Sequence, residues 1–313
     1  MNPFSSIPKA ALDIVIRVGC RLRFEVPADV STLLNIKPRH DAHQFISQER
    51  IDISPQAPVS EFVDDHGNSV LRLTLTRGSN LLSYDGFASV PSVSEDFAHL
   101  DQPIAPAQLP SHLLRYTLPS RYCDSDKLRD FAWSHFGGYQ PGLARIRAIC
   151  NWVHHNIEYR TGSGSSEISA FEVIQRGYGV CRDLAHCGVA LCRALNLPTR
   201  YVSGYVPDVA CFDPGTPMDF HAYFEVFLGG HWQVFDARFN AARTGRVRIS
   251  AGYDASSCAF STSYGAAWLS SFEVWSYQVD PAAVRLGDPV DLSKRLCGTP
   301  LIRRPASHLA IAA

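Results

Sequence analysis

The chain has 313 residues, 46% of them hydrophobic and 19% charged, which is a globular composition long enough for one large domain or two smaller ones. Twenty-nine lysines and arginines face thirty aspartates and glutamates, so the basic excess of a nucleic-acid binder is missing and no electrostatic partner is implied. No apolar run reaches the roughly eighteen residues of a membrane helix. The run from Ala10 to Val18 is broken by Asp13 and Arg17, which does not suit a secretory signal core. Nine cysteines, an odd number in a long chain, predict free thiols in a reducing compartment and hence a cytoplasmic protein.

From residue 12 to about residue 90, short runs alternate with period two, as in Arg21-Leu22-Arg23-Phe24-Glu25-Val26 and Val70-Leu71-Arg72-Leu73-Thr74-Leu75. Such alternation makes strands with one buried face, and His66-Gly67-Asn68 between two runs predicts a hairpin turn. Residues 1–95 are therefore expected to form a β-rich domain, a small sandwich. Pro103, Pro106, Pro110 and Pro119 stud residues 96–122, which read as a linker crossing the surface.

The pattern then becomes helical. Ser125 is placed to cap a helix carrying Leu128, Phe131 and Trp133 and ended by Gly137-Gly138. Ile146, Ile149, Val153 and Ile157 predict a second amphipathic helix. Ser169 and Glu172 form a capping box for a third, stopped by Gly177. A fourth begins at about Cys181 and runs to Pro198. Strands follow at Thr199–Tyr205, His221–Leu228 and His231–Phe235, and Phe272–Val279 alternates like an edge strand. Helices grouped before strands predict an α+β unit over residues 123–280. Residues 281–313 read as a tail, mobile from about Arg295.

Gly179-Val180-Cys181-Arg182-Asp183 runs straight into a helical pattern. A thiol in the first turn of a helix meets unpaired backbone N–H groups and the positive end of the macrodipole, and both favour the thiolate. Position alone leaves this reading level with that of a small packing residue. A two-residue loop at Gly229-Gly230 would pair Leu228 with His231 and Tyr223 with Asp236, leaving His221 diagonal to Asp236. An imidazole oriented by a carboxylate is what a nucleophilic cysteine requires.

The segments Gly179 to His186, Ala194 to Tyr205, and Phe220-His221-Ala222 through Phe235-Asp236-Ala237 resemble the transglutaminase-like superfamily, in its bacterial branch of transglutaminase-like enzymes and proposed cysteine proteases. The resemblance covers about residues 120–240. It implies a papain-like core, helices packed on an antiparallel sheet, with Cys181 as nucleophile, His221 as general base and Asp236 as orienting acid. Arg182 departs from the animal cross-linking enzymes, which carry Trp after the cysteine. Their additional C-terminal β-domains do not fit in this length, and without an acidic calcium loop neither metal nor cofactor is implied.

The chemistry expected of this trio is acyl transfer through a thioester on a protein, a peptide or a small amide. Attack by water would make the chain a peptidase or amidase; attack by a primary amine would make it a transglutaminase. Hydrolysis is preferred, because uncontrolled cross-linking inside a cell is hazardous. A zinc site built on Cys181, His186 and Cys187 is a weaker rival, since a second ligand pair is missing. A binding module without activity is another, opposed by the presence of all three triad residues. Trp152, Asn156 and Tyr178 are candidates for a second oxyanion donor. Arg182 and Asp183 are placed to pair with each other or with the substrate, although a solvated helix end is the commoner reading of two adjacent charges; His186 reads as structural, and the loop from Ala241 to Tyr264 as surface or cleft rim.

Overall fold

The computed structural model describes residues 11–93, 103–209 and 218–296. Alternation in the first ninety residues produces six strands: β1 (Ile14–Val26), β2 (Val30–Leu34), β3 (Phe45–Ser54), β4 (Val59–Val63), β5 (Ser69–Leu75) and β6 (Gly78–Val90). Their inward residues, among them Ile16, Val18, Leu22, Leu34, Leu71, Leu73 and Leu82, form one buried cluster between two sheets. This is the expected sandwich. The turn between β4 and β5 has Gly67 at φ 77°, a conformation glycine reaches without strain.

The proline-studded stretch is more than a strap. It holds α1 (Ser111–Leu114), and Leu109, Leu113 and Tyr116 pack against Phe227 and Trp232 of the second unit. The first long helix, α2 (Arg129–Phe136), starts later than Ser125 predicts, and Trp133 on it is 47% exposed. The helix buries Ala132 and Phe136 instead, and Trp133 lies under the Arg145 guanidinium. Next come α3 (Leu143–Asn156), the two-residue strand β7 (Glu158–Tyr159), α4 (Ala170–Arg176) with its capping box and left-handed Gly177, and β8 (Tyr178–Gly179), which pairs with β7.

Helix α5 (Cys181–Ala194) is the centre of the second unit. It packs on a four-stranded antiparallel sheet of β9 (Thr199–Tyr205), β10 (His221–Leu228), β11 (His231–Phe235) and β12 (Val247–Gly252), in spatial order β11-β10-β9-β12. The mixed helix and antiparallel-sheet class is as expected. Part of the segment read as a loop after Asp236 is thus the fourth strand. At Gly188, α5 approaches β10 so closely that a Cβ would overlap the Phe224 ring. Gly188→Ala is therefore expected to destabilise the fold by about 1–3 kcal/mol despite alanine's better helix propensity. A thermal or urea melt checks it, and an unchanged midpoint would show that the helix can shift away.

Two last strands return to the sandwich. β13 (Ser261–Ser263) pairs with β2, and β14 (Trp268–Gln278) pairs with β1, giving sheets ordered β13-β2-β5-β4 and β14-β1-β6-β3. The expected edge strand exists, but it closes the N-terminal sandwich, whose sheets extend beyond residues 1–95. The tail expected to be mobile falls, from residue 297, outside the described residues.

The sandwich also grips the open edge of the second sheet. The Gln44 side chain donates to the Arg248 carbonyl at 2.9 Å and accepts from the Arg248 N–H at 2.8 Å. Asn68 does the same to Ala251, at 3.0 and 2.8 Å. Two carboxamides thus take the place of a neighbouring strand along β12. Below them Glu225, fully buried, is clamped by Arg200 and Arg248 at 2.6 Å each. Burial alone would raise its pKa, but the two guanidiniums hold it at about 2.

Candidate active site

Cys181 is the first residue of α5 and is half-buried, whereas the six other cysteines described are fully buried. Val180 in front of it is extended, and Asp183 folds back to accept from the Val180 N–H at 3.1 Å. Asp183 is 1% exposed and bridged by Arg176 and Arg182 at 3.1 Å each. Arg182 and Asp183 therefore pair with each other, one of the expected alternatives, and form a buried brace at the start of the helix rather than a solvated end. Arg182 also donates to the Ser165 carbonyl at 2.7 Å, tying the glycine- and serine-rich loop beside Cys181 to α5.

The hairpin pairs as its loop predicts, Leu228 with His231 through Phe224 with Phe235, around Gly229 and Gly230 at φ 55° and 86°. The ladder ends one pair before Asp236, and the diagonal reach is made. His221 Nε2 lies 2.8 Å from Asp236 Oδ2, with both side chains almost completely buried. Burial would raise the Asp236 pKa, but His221 and Arg246 hold the carboxyl far below the usual range. An ionised carboxylate can only accept, so Nε2 carries a proton and Nδ1 is the free nitrogen of the neutral ring.

Nδ1 is buried without a partner of standard hydrogen-bond geometry, and the Cys181 thiol is its interacting neighbour. The contact is looser than a formed hydrogen bond, as is common before substrate binds. Burial would push the Cys181 thiol up, but the hydrogen-bonding and charge influence of His221 brings it below its ordinary value. For His221, burial favours the neutral ring, yet Asp236 and Cys181 together raise its pKa. Cys181 Sγ is also 4.0 Å from the Phe220 carbonyl. The three residues singled out in the sequence, at the start of a helix, at the start of β10 and just past the end of β11, thus meet at one place.

Arg246 was not foreseen. Its guanidinium donates to the same Asp236 oxygen as His221, at 2.8 Å, and is 1% exposed. The signal was the alternation Arg246-Val247-Arg248-Ile249 at the start of β12, hidden inside a segment read as a loop. The other Asp236 oxygen accepts from the backbone N–H groups of Arg238 at 3.0 Å and Phe239 at 3.3 Å. Asp236 therefore receives four donors.

The remaining candidates are engaged elsewhere. Tyr178 is flanked by Arg160 and Arg176, Asn156 donates to the Trp152 carbonyl at 2.8 Å, and Trp152 packs among Phe131, His135 and Phe136. His186 accepts from the Ala255 N–H at 3.1 Å and stacks on Tyr122, and burial lowers its pKa to about 3. The Cys187 thiol faces the Ala170 carbonyl, so the three residues of the zinc reading have separate partners. A cavity of about 200 Å³ lies beside Asp236 and Arg246, but neither Cys181 nor His221 lines it.

Residues 129–237 match the transglutaminase-like superfamily. The crystal structure of a proposed cysteine protease from Cytophaga hutchinsonii superimposes with a TM-score of 0.78 at 31% identity, covering 85% of this chain and 91% of that one. The chain belongs to the transglutaminase-like superfamily. Among curated relatives, an uncharacterised protein of Mycobacterium leprae is 22% identical over 218 residues, 67% of this chain and 77% of that protein. Another, from Mycobacterium tuberculosis strain H37Rv, is 28% identical over 182 residues, 55% of this chain and 58% of its own length. The superfamily match ends at Ala237, so Arg246 lies outside the segment that carries the family signature. No described helix is long and apolar enough to cross a membrane.

Proposed function

We propose that this transglutaminase-like protein is a thiol enzyme that cleaves amide bonds through a thioester, with Cys181 as nucleophile, His221 as general base and then general acid, and Asp236 as the group that orients the ring. The observation carrying this reading is the buried chain of contacts from Arg246 through Asp236 to His221 and on to the half-buried Cys181. Cys181 passes its proton to His221 Nδ1 and attacks the carbonyl carbon. The oxyanion that forms faces the first N–H groups of α5, which have no intrahelical partner. His221 then protonates the departing amine, and water, activated by the same imidazole, hydrolyses the thioester. A primary amine in place of water would give a transglutaminase. Comparing product with and without an added amine acceptor separates the two. Seven described cysteines without disulfides also fit a reducing, cytoplasmic setting.

The shifts set a pH dependence. The thiol of Cys181 is lowered from 9.0 and the imidazole of His221 is raised from 6.5, and both displacements favour the thiolate–imidazolium form of the pair. As pH falls, thiolate is lost only below the lowered thiol value. Among the described cysteines, alkylation by iodoacetamide at neutral pH is therefore expected fastest at Cys181, since burial pushes Cys20, Cys192 and Cys258 up to about 12. Mass spectrometry of the alkylated protein across pH 5–9 checks it. An acid limb at the position of an ordinary thiol would remove the ion pair from the mechanism.

A further inference from the structure

Three arginines follow Asp236 within ten residues, and two of them have carboxylate partners. Arg246 is bound to Asp236, and Arg243 to Asp208 at 3.0 Å. The third, Arg238, is half-buried, and its guanidinium makes no hydrogen bond or ion pair with any described residue. It is nevertheless held in place. The guanidinium lies 3.8 Å from the centre of the Tyr159 ring and 5.0 Å from that of Phe239. The Phe239 ring is in turn 4.9 Å from the His221 ring. Tyr159 is within electrostatic reach of Cys181, and Asp219 is within reach of both Arg238 and His221 without pairing to either. The Arg238 fork thus sits on an aromatic shelf beside the sulfur and the imidazole.

We infer that Arg238 is a specificity residue that binds a carboxylate on the amide substrate, placing the scissile carbonyl over Cys181. The inference rests on the reading of Cys181 as nucleophile. A guanidinium cannot discharge by losing a proton, and its planar fork matches a carboxylate with two parallel hydrogen bonds. Stacking on Tyr159 and Phe239 fixes its plane in advance, so less freedom is lost on binding. The carboxylate belongs either to a free peptide C-terminus or to an acidic side chain, and both present the same two oxygens.

Three alkylating probes test this on the full-length protein. Iodoacetyl-glycine carries a terminal carboxylate, the α-amide of iodoacetyl-glutamate carries a side-chain carboxylate only, and iodoacetyl-glycinamide carries none. In each, the Cys181 thiolate forms a thioether and iodide leaves. With rates normalised to free cysteine, at least one carboxylate probe is expected to react with Cys181 about tenfold faster than the neutral probe. Which of them does so identifies the source of the carboxylate. Arg238→Gln should abolish that preference, read as the ratio of carboxylate-probe to neutral-probe rates within the variant itself. Arg238→Lys should keep part of it by charge alone, and serves if the glutamine variant melts early. The backbone N–H that Arg238 gives to Asp236 survives both substitutions. Equal normalised rates in the native protein, or a preference that persists in Arg238→Gln, would overturn the inference with the nucleophile reading intact. Slow reaction with all three probes would instead bring down the nucleophile reading and this inference with it.

Discussion

Cys181→Ala is expected to abolish turnover of any amide the native protein cleaves, a fall on the order of 10⁶ in kcat, with the fold retained. The sulfur is the atom to which the acyl group would be transferred, and no other described thiol is half-exposed beside an imidazole. Loss of the side chain removes only a small, half-buried group at the helix start, so stability should change by no more than about 1 kcal/mol. Turnover assays on native and variant protein, with a thermal melt of each, provide the comparison. Retained turnover would show that the reaction proceeds elsewhere in the molecule. The thiol's packing role is minor because α5 is anchored through Asp183, which the substitution leaves in place.

Asp236→Asn is expected to damage both chemistry and stability. The carboxylate accepts from His221, Arg246 and two backbone N–H groups, and all four are donors. An amide offers one accepting oxygen and directs N–H groups at the others. If its nitrogen faces His221, the ring must accept at Nε2 and carry its proton on Nδ1, which leaves no lone pair for the thiol. That tautomer error costs about 10⁴ in kcat in a comparable serine triad. Arg246, only 1% exposed, also loses its anion, a loss worth about 3–5 kcal/mol. The variant should therefore melt well below the native protein, and Cys181 alkylation at neutral pH should slow toward that of an ordinary thiol. A native-like melt with native reactivity would mean that another acceptor serves both His221 and Arg246.

Much of the site was legible because its parts are local. A cysteine at the start of a helical pattern, and a glycine pair between two alternating runs, each fix geometry within a few residues, and α5 and the β10–β11 hairpin form where those signals lie. The capping box at Ser169 and Glu172 was legible for the same reason. What escaped depends on distant pairing. Arg246 becomes part of the site only because β12 joins the sheet beside β9, and β12 looks like a loop until that partner is known. β14 alternates like any edge strand, and nothing local says that it pairs with β1, at the other end of the chain, Ile16 opposite Gln278. Which face of α2 is buried is likewise set by tertiary packing, which leaves Trp133 on the wet side under Arg145.

The carboxamides of Gln44 and Asn68 have a further bearing on how the molecule holds together. A sheet margin with unsatisfied amides invites any passing strand, and proteins commonly shield it. Here the shield comes from the opposite end of the chain, and it rests on the strand that begins one residue after Arg246. A fragment trimmed to the superfamily segment would lose Arg246 and β12 with it and leave β9 as the bare margin, so it should clump when expressed. Loosening of the sandwich would be felt at the sulfur by way of β12, Arg246 and the imidazole.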